Sequence, residues 1–212
     1  MSDPVLHYVY DPLCGWCYAA APLVRAARSA GIAIRLHGGR LWPEPATLAP
    51  AKADHIRASD ARIASATGQA FGPVYTDGLL RDPEATFWSG PPVAAVLAAG
   101  RVRAGADVDM LHAIQTAHYV EGRSVVLAGV LTELAADLCL DAHAFGRAFD
   151  LDDATDHAER TSALMARLGM RGYPGFAVEA GEALVRLRHE DFYGAPEAFA
   201  AAVASAGRPQ AA

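Results

Sequence analysis

The chain has 212 residues, 52% of them hydrophobic, and a formal charge of -6 with a pI near 5.7. That length and apolar content are enough for a full core and exclude disorder. The acidic balance and the lack of a run of five basic residues offer nothing to phosphates, so nucleic acid is excluded as a partner, and no window nears the ~18 consecutive apolar residues of a membrane span.

The opening "MSDPVLHYVYDPLCG" has Asp3 where a leader would be basic and no apolar stretch of leader length, so the chain reads as cytoplasmic. "VLHYVY", Val5 to Tyr10, predicts a strand buried on both faces and ended by Asp11-Pro12. "CGWCYAAAPLVRAARSAG" predicts a helix that stops at Gly31, and "IAIRLHGG" a second strand closed by Gly38-Gly39. Strand, cysteine turn, helix and strand make a βαβ unit with parallel strands and a right-handed crossover.

From "RLWPEPATLAP" onward prolines mark a linker, and helical patterns run on until residue 176. Val93, Val96 and Leu97 follow Pro91-Pro92; Met110, Leu111, Ile114 and Ala117 come next; then Leu127, Val130, Leu131, Leu134 and Leu138. All fall at 3/4 spacing, one apolar stripe per helix. A further helix over Asp152 to Leu168 starts among acidic residues and ends at Gly169. Phe176 to Glu179 and Ala183 to Leu187 read as a β-hairpin, followed by a terminal helix with Pro196 near its start. The order is β-α-β, a helical insertion, α, then β-β-α. It predicts an α/β fold in which residues 1–45 and 148–212 form one discontinuous unit around an inserted helical domain, 46–147.

Cys14 and Cys17 stand three apart at the first strand-to-helix junction, and Cys139 is the third cysteine. Three cysteines in a reducing compartment make no permanent framework; a transient bond stays open. A structural zinc site needs two more ligands than the pair provides, and His112 and His118, six apart on a helix, are about 240° apart in rotation. No metal is expected. The pair is either two buried thiols or a redox couple, and its position favours the couple. A helix start offers unpaired N–H groups and the positive end of the dipole, which stabilise a thiolate at Cys14. Cys17, one turn further in, is the less exposed, resolving thiol, on the same face and close enough to form a disulfide. Exchange then runs through a mixed disulfide. Gly15-Trp16 between them adds no positive charge, which predicts a moderate thiolate; Trp16 either contacts substrate or packs on its helix.

"DPLCGWC" after a first strand, Pro22 five residues beyond Cys17, the helical insertion with "SGPPVAAVLAA" and "AHYVEGRSV", and "GYPGF" before a hairpin together resemble the DsbA-like thioredoxin-fold family, in its cytoplasmic protein-disulfide isomerase branch. The resemblance spans nearly the whole chain. It implies a thioredoxin-like fold and a thiol-disulfide oxidoreductase in which Cys14 attacks and Cys17 resolves. Pro174 would be a cis-proline facing them, with Tyr173 presenting its backbone to an extended substrate, and Pro22 would kink the active-site helix. No bound cofactor is implied. Glutathione or another thiol reductant would be a co-substrate, and the expected partners are protein or peptide thiols and disulfides, or glutathione. Leu13, where thioredoxins proper have Trp, points to the DsbA-like branch. Tyr173 is bulkier than the residue usual before that proline, and Gly175 predicts a groove open on its far side.

Asp11 is either a residue of an Asp-Pro turn, the simpler reading, or a proton acceptor for Cys17. His37 and His118 read as hydrogen-bonded structural residues that also lie within reach of the active-site face, and Cys139 as a buried hydrophobe. Two rival functions are a glutathione-dependent transferase or isomerase of the kappa-class or 2-hydroxychromene-2-carboxylate isomerase type, which would carry Ser in place of Cys14, and a non-catalytic peptide-binding module. Oligomeric state is not legible in the sequence.

Overall fold

A computed structural model describes residues 3–181 and 183–206. The outer ends of the expected discontinuous unit, 1–2 and 207–212, and Glu182 in the hairpin turn lie outside the described residues. One mixed sheet of four strands carries the site. β1 (Val5–Tyr10) is central: β2 (Ala33–Gly38) pairs parallel on one side, β3 (Gly175–Ala180) antiparallel on the other, and β4 (Ala183–Leu187) closes the edge antiparallel to β3. A strand with neighbours on both edges and helices on both faces needs no polar alternation, hence the unbroken "VLHYVY". Its side chains still divide by period two. Leu6, Tyr8 and Tyr10 enter the main core with Phe176 and Val178, and Val9 packs with Ala177 and Met170 on the other face. Tyr8 stacks on Phe176 with ring centres 4.7 Å apart.

The single helix expected from Cys14 to Gly31 is two: α1 (Gly15–Ala19) and α2 (Ala21–Ser29), joined at Ala20. Pro22 lacks an N–H and sits in the first turn of α2, where none is needed. α2 and the terminal helix α9 (Pro196–Ala206) cover one face of the sheet, and α8 (Leu151–Arg167), capped by the Asp150 carboxylate, covers the other.

Between β2 and α8 lie α3 (Pro50–Thr67), two irregular turns (Val74–Gly78 and Leu79–Arg81), α4 (Gly90–Val102), α5 (Ala106–Tyr119), α6 (Ala128–Asp137) and α7 (Ala142–Ala148). α4 departs from the expected single stripe. It is buried on nearly every side from Pro91 to Ala99, because α5, α7 and α8 all pack on it and its alanines let them close in. Cys139 also departs: it is exposed, with φ 56, in the left-handed position after α6 that glycine usually fills. Its N–H donates to Ala136 O at 2.8 Å and that of Leu140 to Ala135 O at 3.0 Å, so the turn is held by the helix end. No helix among the described residues is long and apolar enough to cross a membrane.

Candidate active site

Cys14 is the cap residue of α1, extended at φ -99 and ψ 115, and its carbonyl accepts the N–H groups of Cys17 and Tyr18 at 2.9 and 3.0 Å. That first turn sets the cysteines apart in access. Cys14 keeps 7% of its surface while Cys17 keeps none, and both thiols are free. Cys17 Sγ accepts the Asp11 N–H at 3.5 Å. Burial, followed by the hydrogen bond and charge of neighbouring Cys14, pushes the Cys17 thiol well above the ordinary thiol range.

Across the sheet the Tyr173-Pro174 peptide is cis, and the Cys14 thiol faces Tyr173 O at 3.6 Å. The structure thus brings together Cys14, Cys17, Tyr173 and Pro174. Tyr173 is seated by Gly39: its ring fills the place a side chain there would take, and its hydroxyl accepts the Arg40 N–H at 3.2 Å. Gly175 does not widen the groove as the sequence suggested. A Cβ at that position would meet Met170 Sδ at 2.5 Å, so the thioether already occupies the space.

Trp16 is 38% exposed and packs away from its own helix, against Tyr193 beyond β4, at 5.5 Å between ring centres. It separates two cavities. One, about 560 Å³, lies on the proline side and is lined by Trp16, Met170, Tyr173, Pro174, Phe176 and Tyr193. The other, about 410 Å³, lies toward the helical insertion, where Cys14 and Trp16 meet Lys52, Asp60, Tyr75 and His118.

Asp11 is fully buried, and both carboxylate oxygens are engaged: Oδ1 accepts Leu13 N–H at 2.9 Å, Oδ2 accepts Leu41 N–H at 2.7 Å. Its pKa is pushed up to about 6 by burial, against the pull of those amides. The backbone of Asp11, not its carboxylate, makes the hydrogen bond to Cys17. Asp11→Ala leaves the buried Leu13 amide and the partly exposed Leu41 amide without their acceptors, so urea unfolding near pH 5 is expected to show a loss of about 1–3 kcal/mol. A companion Asp11→Asn protein separates the turn role from proton transfer: an unchanged pH dependence of thiol exchange leaves the carboxylate its turn role alone.

His37 lies away from the cysteines. Its Nε2 pairs with His7 Nδ1 at 2.9 Å, and His7 Nε2 pairs with Glu179 at the same distance. Burial, then the neighbouring His7, pushes His37 down to about 4. His118 is inside the cysteine cavity, against Tyr75 and Tyr119, pushed down to about 3 by burial; its Nδ1 has no hydrogen-bond partner among the described residues.

Three residues of this cavity escaped the sequence reading. Asp60 is 4% exposed, its Oδ2 accepts the Tyr75 hydroxyl at 2.9 Å, and burial raises it to about 6. A Cβ on Gly15 would come within 2.7 Å of Asp60 Oδ1, so the glycine after Cys14 leaves room for that carboxylate. Tyr75 and Lys52 complete the set. Lys52 is the only lysine in the chain, the one trait of the three visible in the sequence, though composition alone attaches it to no site.

The family model of the DSBA-like thioredoxin domain matches residues 5–196. The chain is similar to the cytosolic disulfide reductase DsbM from Pseudomonas aeruginosa: 43% identity, TM-score 0.86, over 95% of this chain and 97% of that one. A structure of DsbM with GSH superposes with TM-score 0.85 at 44% identity, over 95% and 98% of the two chains. A 2-hydroxychromene-2-carboxylate isomerase shares the fold alone, at 15% identity and TM-score 0.58 over 92% and 93%. No curated protein sequence matches.

Proposed function

We propose that this chain, which belongs to the DSBA-like thioredoxin domain family and is a thiol-disulfide oxidoreductase, works in the cytoplasm as a reductase of disulfides with glutathione as electron donor. The observation that carries the reading is the 410 Å³ cavity in front of Cys14, at the small end of the range for sites that enclose a small ligand. The similarity to a cytosolic reductase solved with GSH supports the choice of thiol. In this reading residues 1–45 and 148–212 carry the cysteines and Tyr173-Pro174, and 46–147 supply the wall that receives glutathione.

The cycle balances with two glutathione molecules. A glutathione thiolate attacks Cys14 Sγ of the oxidised pair, the Cys14–Cys17 bond breaks, and Cys17 leaves as a thiolate that takes up a proton. A second glutathione attacks the sulfur of the first, releasing oxidised glutathione and the Cys14 thiolate. Cys14 then attacks a substrate disulfide held along Tyr173-Pro174 beside Trp16, and Cys17 resolves the mixed disulfide, releasing substrate dithiol. The high pKa of Cys17 suits the second role: it stays protonated until attack on the mixed disulfide is under way.

Glutathione-dependent reduction of insulin, coupled to glutathione reductase, tests this; a rate no faster than the protein-free blank defeats it. Lys52 at the cavity wall supplies the cation for a glutathione carboxylate, and Lys52→Ala is expected to raise the KM for glutathione about 3- to 10-fold at unchanged kcat, the range of one partly exposed ion pair.

A further inference from the structure

We propose that Asp60 is the proton acceptor for the thiol that enters the cavity beside Cys14. The inference rests on the reductase reading above and adds to it the residue that ionises the incoming thiol. Asp60 lines the same cavity as Cys14, and its two oxygens are unlike. Oδ2 is held by the Tyr75 hydroxyl, while Oδ1 is turned to the backbone of Gly15, next in the chain to the sulfur that must be attacked. The carboxylate therefore has one oxygen fixed and the other free of any hydrogen bond among the described residues, on the wall of the cavity that Cys14 also lines. Gly15 keeps that oxygen uncovered, since a methyl group at that place would displace it.

The chemistry favours proton acceptance here. An incoming thiol of ordinary acidity, near 8.5, is mostly protonated at neutral pH. It must lose its proton in a cavity where a second negative charge is costly. If Asp60 enters ionised and takes that proton as the sulfur attacks, the thiolate appears while the carboxylate becomes neutral, and the charge of the cavity does not change. The S–H bond breaks, an O–H bond forms on Asp60, the new S–S bond forms at Cys14 Sγ, and the old electron pair leaves on Cys17. A carboxyl raised to about 6 is ionised at pH 7 and closer to the thiol than an ordinary Asp, as a general base requires. The titratable groups that line the cavity with it are Tyr75, Cys14, His118, Tyr119, Lys52 and His55. His118, held down to about 3 by burial, is neutral there, and Tyr75 is held far above the working range by burial and by Asp60.

The test is stopped-flow reduction of the oxidised protein, followed by Trp fluorescence, with glutathione and with an aromatic thiol already ionised at the assay pH. In the wild type the glutathione rate is expected to climb through a limb near pH 6. Asp60→Asn should lower that rate by about 10²-fold, the low end for a general base, and erase the limb, with less than about 3-fold loss for the ionised thiol. Tyr75→Phe, which removes the group that favours the ionised carboxylate, should move the limb to higher pH. Equal losses with both thiols, or a limb that survives in Asp60→Asn, overturn the proposal. If the wild type ignores glutathione but reacts with 2-mercaptoethanol, the glutathione reading fails, and the same comparison made with 2-mercaptoethanol decides the role of Asp60.

Discussion

Cys17→Ser is expected to slow turnover sharply, by about 10²-fold, and, with no thiol added, to accumulate as a stable mixed disulfide on Cys14. The reason is access. Cys17 is fully buried under β1, with its sulfur on the Asp11 amide, so no outside disulfide reaches it; Cys14 opens onto the cavity. Without Cys17 the first exchange proceeds, and the second is left to external glutathione, so with no thiol added the adduct persists. Intact-mass analysis after incubation with oxidised glutathione or a disulfide peptide reads the adduct directly, and Cys14→Ser should show none. An adduct on Cys17, or turnover surviving in Cys14→Ser, would reverse the assignment. The same trap addresses the rival activities. Retention of glutathione together with a small electrophile marks a transferase or isomerase, and function indifferent to Cys14→Ser marks a binding module.

The two halves of the site differ in how legibly the sequence announced them. In the proposed cycle Cys14, Cys17 and Tyr173-Pro174 act through covalent or backbone chemistry, and Pro22 shapes the helix start, which ties a residue type to a position and leaves a motif. The strands β1, β3 and β4 were legible for a similar reason, since β-branched and aromatic runs bounded by Gly and Pro have few other uses. α3 was not. Its buried face consists of Ala53, Asp60 and Ile63, too sparse a stripe to show as a period, and a buried carboxylate counts against burial in any hydrophobic pattern. Asp60 belongs to the site only because α3 folds back against α1, a contact between segments some 45 residues apart that no local pattern encodes. Gly175 erred for the same cause: glycine marks missing volume, but whether the gap is a groove or is filled depends on Met170, placed there by α8 and the turn after it.

Asp60→Asn is also expected to make the protein more stable at neutral and alkaline pH. The folded-state pKa of Asp60 is raised to about 6, chiefly by burial, against about 3.9 in an unfolded chain. A group with a raised folded pKa gives its full support below the unfolded value, and that support is lost as pH rises through the folded one. The interval corresponds to about 3 kcal/mol, present at about pH 4 and gone by about pH 8. Asn has no such loss and keeps an oxygen for the Tyr75 hydroxyl. The stability difference between variant and wild type should therefore be near zero at about pH 4 and widen to about 3 kcal/mol in favour of the variant at about pH 8. It has to be read as a difference, because Asp11, raised to the same degree by burial, gives both proteins a similar slope that cancels. Urea titrations at several pH values measure it; a gap independent of pH would mean that Asp60 ionises as easily folded as unfolded. A variant that is more stable yet slower with glutathione would locate the cost of an ionised buried carboxylate at the site where its charge is used.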